Sequence, residues 1–193
     1  MSYKFIEVTS ENDLEKVYAF RYQIVCEKLG VTELDNCEFG RETDEYDAYS
    51  VHFAAFDEEG EVVACTRLIH HSPLGYPTDN NMKTDIDKKQ FDINKFAELS
   101  RIFIASHLRN LKDTRSLIEG LKVVGYNKMA TLGIEYTYGA LEKPFLRLLN
   151  MYKLPYKAIG KEQQYITPRY PCLLYTHELE AANPKLLAII GTA

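Results

Sequence analysis

Apolar residues recur every three to four positions in three segments of the chain, and this spacing predicts amphipathic helices. The first segment follows Ser10, a capping residue, and ends before Gly30. The second begins near Thr114 and ends before Gly133, and a short third segment follows Pro144. We therefore predict helices over residues 11–29, 114–132 and 144–152.

Short runs rich in Val, Ala, Ile and Phe alternate with these helices and predict β-strands. Residues 50–57 and 61–69 flank the turn sequence Glu58-Glu59-Gly60 and are predicted to form a hairpin. This order of helices and strands predicts an α/β fold in which a mixed sheet carries helices on its faces. The other predicted strands cover residues 96–105, 134–141, 163–167 and 172–176.

Two stretches, residues 31–49 and 70–94, lack any hydrophobic period and are predicted to be loops. The first is strongly acidic, and the second contains several Pro, Gly and Asn residues. Loops of this length in compact domains are usually functional or disordered. Residues 31–49 are therefore a candidate functional segment.

The chain of 193 residues has 46% hydrophobic and 26% charged residues, which is typical of an ordinary globular protein. Its length predicts a single domain, residues 1–193, with a core that needs no disulfide or metal. No apolar run approaches the ~18 residues of a membrane span, and the first residues lack a signal-peptide pattern. We therefore expect a cytoplasmic protein without a transmembrane segment.

The four cysteines are far apart in the chain and include no C-x-x-C pair. No His stands at zinc-finger spacing from any of them. We therefore expect reduced thiols, with neither a disulfide framework nor a metal site. The four residues are Cys26, Cys37, Cys65 and Cys172.

Charge is distributed unevenly along the chain. Residues 1–100 carry 10 Lys and Arg against 21 Asp and Glu, a net charge of −11, whereas residues 101–193 carry 13 against 7, a net charge of +6. This asymmetry predicts either a docking face for an acidic partner or two halves that neutralise each other in the fold. The basic residues are scattered without interleaved aromatic residues, so nucleic acid is not an expected partner.

The sequence contains no serine-hydrolase, P-loop, dinucleotide-binding or zincin motif. Instead, the side chains of Arg67, Glu98 and Arg101 lie within apolar strand sequences. Charges in such runs are rarely buried unless they are paired or functional. Two interpretations stay open: a catalytic site, or an ion-pair network that only fastens the acidic loop.

These charged residues belong to a longer pattern: Arg21 in the first helix, Asp44 and Asp47 in the acidic loop, Arg67, and the block Glu98-Leu99-Ser100-Arg101. The pattern resembles the acyl-homoserine-lactone (autoinducer) synthases and the related N-acyl amino acid synthases. Residues 20–27 and 42–47 also look like the autoinducer-synthase-like acyltransferases associated with exosortase systems. The resemblance implies a single-domain, GNAT-like acyl-CoA N-acyltransferase fold with a mostly antiparallel central sheet.

The resemblance implies transfer of an acyl group from a thioester to the amine of an amino-acid-like acceptor. Glu98 is the expected base, because an α-amino group with a pKa of ~7.7–8 needs only modest help to lose a proton. Backbone N–H groups after Arg101, at Ile102 and Phe103, are expected to stabilise the oxyanion. Residues three apart on a regular strand point to opposite faces, so either a bulge is present or Glu98 and Arg101 have different roles.

The expected substrate-binding set also includes residues outside this strand. We expect Arg101 to brace the acidic loop through Asp44 or Asp47. Arg21 and Arg67 complete a network that positions this loop over the acceptor. Each of these residues is also compatible with a purely structural ion pair.

The expected acyl donor is acyl carrier protein, a small acidic protein that carries the acyl group as a phosphopantetheine thioester. Acyl-CoA is the alternative donor, and no permanently bound cofactor is expected. The coenzyme A signature R/Q-x-x-G-x-G/A is absent from the segment that joins the central strand to the next helix. The basic residues expected to contact the carrier protein are Arg109, Lys112, Arg115, Lys122 and Lys128.

Two departures from the family pattern leave the acceptor open. Val25 stands where the family usually has an aromatic residue, and the chain contains no Trp. S-adenosylmethionine, which would give an acyl-homoserine lactone, and an ordinary amino acid are both candidates. The rival functions are an acetyl-CoA-dependent N-acetyltransferase and a non-catalytic relative that only binds acyl carrier protein.

Overall fold

The computed structural model describes residues 2–28 and 37–190 of the chain. Among these residues the strands are β1 (Lys4–Glu7), β2 (Cys37–Glu38), β3 (Arg41–Glu42), β4 (Ser50–Phe56), β5 (Val62–His70), β6 (Phe96–Ile104), β7 (Tyr136–Leu141), β8 (Lys157–Ala158), β9 (Gln163–Tyr165) and β10 (Thr167–Tyr175). The α-helices are α1 (Glu11–Tyr22), α2 (Pro77–Asn81), α3 (Leu111–Thr131), α4 (Lys143–Met151), α5 (Thr176–Ala182) and α6 (Pro184–Ile190).

Contacts between Cα atoms group the chain into two compact units. The first unit contains Met1–Leu68 and Arg101–Gly125, and the second contains Ile69–Ser100 and Tyr126–Ala193. Strands β5 and β6 and helix α3 each contribute residues to both units. The single domain expected from the chain length therefore stays a prediction.

The first unit is built on strands β1, β4, β5 and the end of β6. β1 pairs with β4 in antiparallel register, and the N–H of Ala105, just after β6, donates to the carbonyl of Val63 at 2.9 Å. Helix α3 packs closely on β1, because a Cβ atom at Gly120 would lie 2.2 Å from the Phe5 ring. A Cβ atom at position 120 would therefore force the Phe5 ring to move, so packing rather than backbone conformation favours glycine there.

Helix α1 begins where the sequence predicts. The Ser10 hydroxyl accepts a hydrogen bond from the N–H of Asp13 at 3.1 Å and caps the helix. The α-helix ends at Tyr22 and continues as a π-helical segment, Gln23–Lys28. The buried face of α1 carries Val17, Tyr18 and Phe20 together with the charged residue Arg21.

The second unit is built on the first part of β6, followed by β7, β10 and β8 in that order, with β9 paired to β10. β6 and β7 run parallel, with Phe96 opposite Tyr136 and Glu98 opposite Tyr138. β7 and β10 are antiparallel. The rings of Phe96 and Tyr138 stack with their centroids 4.9 Å apart, so aromatic packing fixes this part of the sheet next to Glu98.

Most predicted elements are confirmed, and the differences have local causes. α3 begins earlier than predicted, at Leu111, because the Asn110 side chain accepts from the N–H of Asp113 and caps the helix. The short strands β1 and β8 and the short helix α2 were not predicted, since elements of two to five residues show no period. The acidic stretch contains β2, β3 and a 3₁₀ turn at Glu45–Tyr49, and its residues 31–36 lie outside the described part of the chain.

One sequence-based expectation about the cysteines is wrong. Cys26 and Cys37 form a disulfide, with their Cα atoms 6.1 Å apart. The two residues are 11 positions apart in sequence, and no C-x-x-C spacing marks them as a pair. Cys65 and Cys172 are buried free thiols, as expected.

Candidate active-site residues

Six charged residues of the first unit form a closed ring of ion pairs. Each arginine contacts two carboxylates and each carboxylate contacts two arginines. Three positive and three negative formal charges cancel, so these charges are compensated inside the protein. In order around the ring the residues are Arg21, Glu42, Arg101, Asp44, Arg67 and Asp47.

Arg21, from the last turn of α1, connects two parts of the acidic segment. Its Nε lies 2.5 Å from Oε2 of Glu42 in β3. Its two terminal nitrogens donate to both carboxylate oxygens of Asp47 at 2.8 and 3.1 Å. This bidentate geometry is the one that arginine favours with carboxylates.

Arg67, from β5, holds the turn that follows β3. It donates to both oxygens of Asp44, at 2.5 and 2.6 Å, and to Asp47 at 2.5 Å. The two aspartates also cap their own turn: Asp44 accepts from the N–H of Tyr46 at 3.0 Å, and Asp47 accepts from the N–H of Asp44 at 2.8 Å. The ion pairs of Arg67 and the hydrogen bonds within the turn therefore hold the same backbone, that of residues 44–47, in place.

Arg101, from β6, closes the ring. It donates to Glu42, with the shortest contact at 2.6 Å, and to Asp44 at 3.0 Å. The sequence-based expectation was that Arg101 contacts the acidic segment through Asp44 or Asp47, and the structure shows the contact with Asp44. Arg101 has a φ of +53°, a left-handed conformation that interrupts the regular alternation of a strand. Its carbonyl accepts from the thiol of Cys65 at 3.5 Å.

Exposure differs among the ring members. The side chains of Arg21, Arg67 and Glu42 are at most 1% exposed, whereas those of Arg101 and Asp44 are 18% and 12% exposed. Arg21 and Arg67 therefore contact the acidic segment away from solvent. Arg101 and Asp44 are the ring members whose side chains reach the surface. This burial favours the positioning role over direct substrate binding for Arg21 and Arg67.

Burial and ion pairing oppose each other at the carboxylates. Burial alone would raise the pKa of Asp47, but the guanidinium groups of Arg21 and Arg67 outweigh it and hold that pKa below its ordinary value. The pKa of Asp44 is lowered in the same way, mainly by Arg67 against the effect of burial. The ring is therefore ionised at neutral pH.

His52, on β4, lies next to Asp47 of the ion-pair ring. Its Nε2 is 3.7 Å from Oδ1 of Asp47, and its ring meets Tyr18 edge to face. Burial lowers the pKa of His52 to about 4, and the positive charges of Arg21 and Arg67 add to the shift against the opposing effect of Asp47. The imidazole is therefore neutral near pH 7.

Glu98 belongs to the second unit and is buried, with 2% of its surface exposed. One carboxylate oxygen accepts from the backbone N–H of Thr78 at 2.8 Å, and the other accepts from the Thr78 hydroxyl at 3.0 Å. Thr78, at the start of α2, is itself completely buried. These two bonds orient the carboxylate that the sequence analysis selects as the base.

Two tyrosines support this arrangement. The hydroxyl of Tyr76 donates to the carbonyl of Phe96 at 2.5 Å and fastens the segment before α2 to β6. Tyr138, opposite Glu98 in the sheet, is buried, and burial followed by the charges of Asp79 and Glu98 raises its pKa. Glu98 therefore lies among phenol groups that keep their protons.

The predicted docking residues do not all lie on a surface. Arg109, Lys112 and Arg115 are exposed around the first turns of α3, next to the apolar residue Leu111, which is 83% exposed. Lys122 is buried and paired with Glu119. The prediction that Lys122 contacts a carrier protein is therefore wrong, because the helical period turns this position inward.

A surface pocket of about 740 Å³ occurs in the second unit, and it is lined by aromatic residues and carboxylates. None of the sequence-predicted site residues lines it. In the described residues no group of three His, Cys, Asp or Glu side chains has the arrangement of a metal site. No described helix is both long and apolar enough to span a membrane.

Two residues of these clusters were not predicted from the sequence. Glu42 is fully buried and contacts Arg21 and Arg101, and its spacing of two residues before Asp44 was the available signal. Thr78 is 20 residues from Glu98 in a stretch without period. No sequence signal connected Thr78 to the carboxylate.

Comparisons with known proteins agree with the fold. The family model described as an acetyltransferase (GNAT) domain matches residues 20–119. A search of curated proteins finds no match. The fold predicted from the resemblance is confirmed by solved structures at low sequence identity.

Three of these solved structures illustrate the likeness, and two of them are described as an acyl-homoserine lactone synthase and an N-acyl amino acid synthase. TofI, solved with an inhibitor and MTA, is 17% identical, with a TM-score of 0.71 over 96% of this chain and 100% of TofI. BjaI, a CoA-dependent acyl-homoserine lactone synthase solved with MTA, is 17% identical, with a TM-score of 0.69 over 94% of this chain and 87% of BjaI. FeeM, an N-acyl amino acid synthase from uncultured soil microbes, is 16% identical, with a TM-score of 0.68 over 94% of both chains.

Proposed function

The chain belongs to the acetyltransferase (GNAT) domain family, and from this premise we propose an N-acyltransferase that transfers a fatty acyl group from acyl carrier protein to the amine of an amino-acid-like acceptor. The observation that carries the proposal is the buried Glu98 carboxylate, held by two hydrogen bonds from Thr78. A surface carboxylate would be hydrated and mobile. A buried, oriented one is suited to accept a proton from an amine.

The reaction requires one new bond and one broken bond. The neutral amine attacks the thioester carbonyl carbon, a C–N bond forms, and the C–S bond then breaks with its electron pair going to sulfur. Glu98 takes the proton that the amine loses, directly or through water, and the leaving sulfur ends as a thiol. We assign the oxyanion to the backbone N–H of Ile102, and the left-handed conformation at Arg101 supports this assignment because it disturbs the strand just before that residue. The backbone of Phe103 instead hydrogen-bonds the thiol of Cys65 on β5.

We assign the ion-pair ring to positioning of the acidic segment. Arg21, Arg67 and Glu42 are buried members that hold the segment in place. Asp44 and Arg101 are the members with exposed side-chain surface, and they are our candidates for contact with the amino-acid-like acceptor. A charged acceptor would meet either a carboxylate or a guanidinium there.

The exposed basic residues at the start of α3 support acyl carrier protein as the donor. Arg109, Lys112 and Arg115 present three positive charges around the exposed Leu111, a combination that complements a small acidic protein. In addition, Asn110 caps the helix end where a Gly-rich loop would otherwise offer free N–H groups to a phosphate. Acyl-CoA is the second candidate donor, favoured by the CoA-dependence that is stated for BjaI.

The acceptor has two candidates. S-adenosylmethionine is one, since BjaI has been solved with SAM and isopentyl-CoA, and acylation followed by lactone formation would give an acyl-homoserine lactone. An ordinary amino acid is the other, by analogy with FeeM. The absence of Trp from the sequence and the Val at position 25 favour the amino acid.

The proposal is tested by mass spectrometry of products. The purified chain is incubated with long-chain acyl carrier protein, long-chain acyl-CoA or acetyl-CoA, each with S-adenosylmethionine and a panel of amino acids. A long-chain amide formed from the carrier-protein thioester is the expected result. Products from acetyl-CoA alone would favour a conventional N-acetyltransferase. Tight binding of acyl carrier protein without any amide would favour the non-catalytic relative.

A further inference from the structure

The side-chain amide of Gln163 holds the backbone of Lys83 by two hydrogen bonds. Its Oε1 accepts from the N–H of Lys83 at 2.8 Å, and its Nε2 donates to the carbonyl of the same residue at 2.8 Å. Gln163 lies on β9, 80 positions from Lys83 in the chain. A side-chain amide that satisfies both backbone groups of one residue takes the place of a neighbouring strand, so it fixes the position of that residue.

The backbone around Gln163 approaches the same segment closely. The N–H of Asp85 donates to the carbonyl of Ile159 at 2.6 Å. A Cβ atom at Gly160 would lie 2.7 Å from the carbonyl oxygen of Lys83, which is closer than a side chain can approach, so glycine is favoured there. The bonds of Gln163 are therefore part of a packed contact between two segments of the second unit.

Lys83 lies next to the residue that closes helix α2. The N–H of Met82 donates to the carbonyl of Thr78 at 3.0 Å, and both residues are buried. Thr78 in turn donates its N–H and its hydroxyl to the Glu98 carboxylate. A continuous chain of bonds therefore leads from the Gln163 amide to the proposed base.

Helix α2 depends on the surrounding fold for its position. It has only five residues, and a helix of that length is not stable by itself in water. Before the helix, the hydroxyl of Tyr76 donates to the carbonyl of Phe96 at 2.5 Å. After the helix, the Gln163 amide holds Lys83. α2 is thus anchored at both ends, and release of either end would loosen the two donors of Thr78.

We propose that Gln163 is a positioning residue, which fixes the end of α2 so that both donors of Thr78 reach the Glu98 carboxylate. This inference rests on the proposed acyl transfer. Hydrogen bonds to a carboxylate favour its ionised form, and the ionised form is the one that accepts the proton of the amine. Without the Gln163 amide the bonds from Thr78 weaken. Glu98 is then less well oriented and takes up a proton at a higher pH.

The test replaces Gln163 by methionine, which has a similar length but no amide. For Gln163→Met we expect a kcat for acyl transfer that is roughly 3- to 30-fold lower, because the hydrogen bonds to the base weaken. We expect an unchanged KM for the amine, and the acid limb of the kcat profile should move to higher pH. A residue that only fastened the surface would lower the melting temperature without moving this profile.

Gln164→Met is the matched control. Gln164 is the next residue of β9, and its exposed amide donates to the nearby carbonyl of Ile166 at 3.3 Å. The same change of residue type on the same strand therefore leaves the contact with Lys83 in place. We expect the kcat and the pH profile of the wild type for this variant.

A double-mutant cycle separates an effect at the base from a general loosening of the site. When Glu98→Gln has already removed the base, Gln163→Met should lower the single-turnover rate by less than twofold further. Two independent effects would instead multiply.

A Gln163→Met protein with the kcat and pH profile of the wild type would overturn the inference and leave the proposed function intact. Effects that multiply in the cycle would also overturn it, because Gln163 would then act somewhere other than at the base. An equal loss of kcat in Gln164→Met would do the same. If the wild-type chain transfers no acyl group from any thioester, the proposed function itself fails, and this inference fails with it.

Discussion

Thr78 donates both its backbone N–H and its hydroxyl to the carboxylate of Glu98, one to each oxygen. Both residues are buried, and they are 20 positions apart in the chain. A carboxylate held at both oxygens cannot rotate freely. The short helix that begins next to Thr78 is therefore part of the machinery that orients the proposed base.

Removal of the Thr78 hydroxyl should lower the rate of acyl transfer while the side chain keeps its shape. Thr78→Val has the same branching as threonine but loses one hydrogen bond to a charged group, which is worth about 1.5–3 kcal/mol of stability. We expect kcat/KM for acyl transfer to fall roughly tenfold or more, and the acid limb of its pH profile to move to higher pH. Thr78→Ser keeps the hydroxyl and should restore both. A Thr78→Val profile that overlays that of the wild type would remove Thr78 from the mechanism.

Breaking the ion-pair ring should destabilise the protein strongly. Arg67→Met leaves Asp47 with Arg21 and Asp44 with Arg101 as their remaining arginine partners in the ring, and loss of one partner of a buried pair typically costs about 3–5 kcal/mol. Urea denaturation measures this change in the free energy of unfolding. Arg67→Lys should rescue only part of it, because lysine cannot make the two-pronged contact with Asp44.

The matched control for the ring is a surface ion pair. Arg41 and Glu15 are paired at 2.7 Å, with both side chains nearly half exposed. Arg41→Met should change stability by about 0–1 kcal/mol. Equal losses of unfolding free energy in Arg67→Met and Arg41→Met would contradict the interpretation that the buried ring stabilises the fold.

The stability of the protein should fall in mild acid because of His52. Burial lowers its folded-state pKa to about 4 from an ordinary 6.5, so the unfolded chain takes up a proton at a higher pH than the folded one. Stability is then fully present above pH ~6.5 and decreases as the pH falls toward 4, by about 3 kcal/mol at most. Chemical denaturation between pH 7 and 4 measures the slope.

His52→Phe should flatten this slope between pH 6.5 and 4. The lowered pKa values of Asp44 and Asp47 act in a different window, since those carboxylates lose stability only as the pH falls below about 4. A variant that keeps the full slope above pH 4 would show that other groups titrate there.

Charge reversal at the start of α3 should weaken donor recognition. Arg109→Glu with Lys112→Glu should raise the KM for acyl carrier protein at least tenfold in low salt, and the difference should shrink as salt rises, because exposed charges are screened. Lys161→Glu, an exposed reversal elsewhere, is the control and should have little effect. Unchanged KM values for the α3 variant would show that the acyl carrier protein binds at another surface.

The sequence predicted that charged residues would cluster, but it did not predict every residue of the clusters. Arg67 and Arg101 stood out because charges in apolar strand sequences need partners, and Arg21, Asp44 and Asp47 stood out through the family resemblance. The structure brings all five together. Their division into buried and exposed members was not predictable, because it depends on the packing of α1 and the acidic segment.

The residues that the sequence did not reveal depend on long-range placement. Nothing in the sequence distinguishes Thr78 from the other threonines, because only the fold places it beside Glu98. The two hydrogen bonds between the Gln163 amide and Lys83 are likewise a property of the surroundings of Gln163 rather than of its residue type. The disulfide between Cys26 and Cys37 was missed for the same reason. Lys122 was misassigned because net charge was counted without regard to the face of the helix.

The most direct test of the account is the rate of acyl transfer by Glu98→Gln, measured in single turnover with saturating thioester. Glutamine keeps the size of the side chain and an oxygen for the Thr78 N–H, so melting temperature and donor binding should change little. We predict a rate roughly 100- to 10,000-fold lower than that of the wild type, with partial recovery at high pH where the amine deprotonates without help. A folded Glu98→Gln protein that transfers the acyl group at the wild-type rate at pH 7 would contradict the assignment of Glu98 as the base.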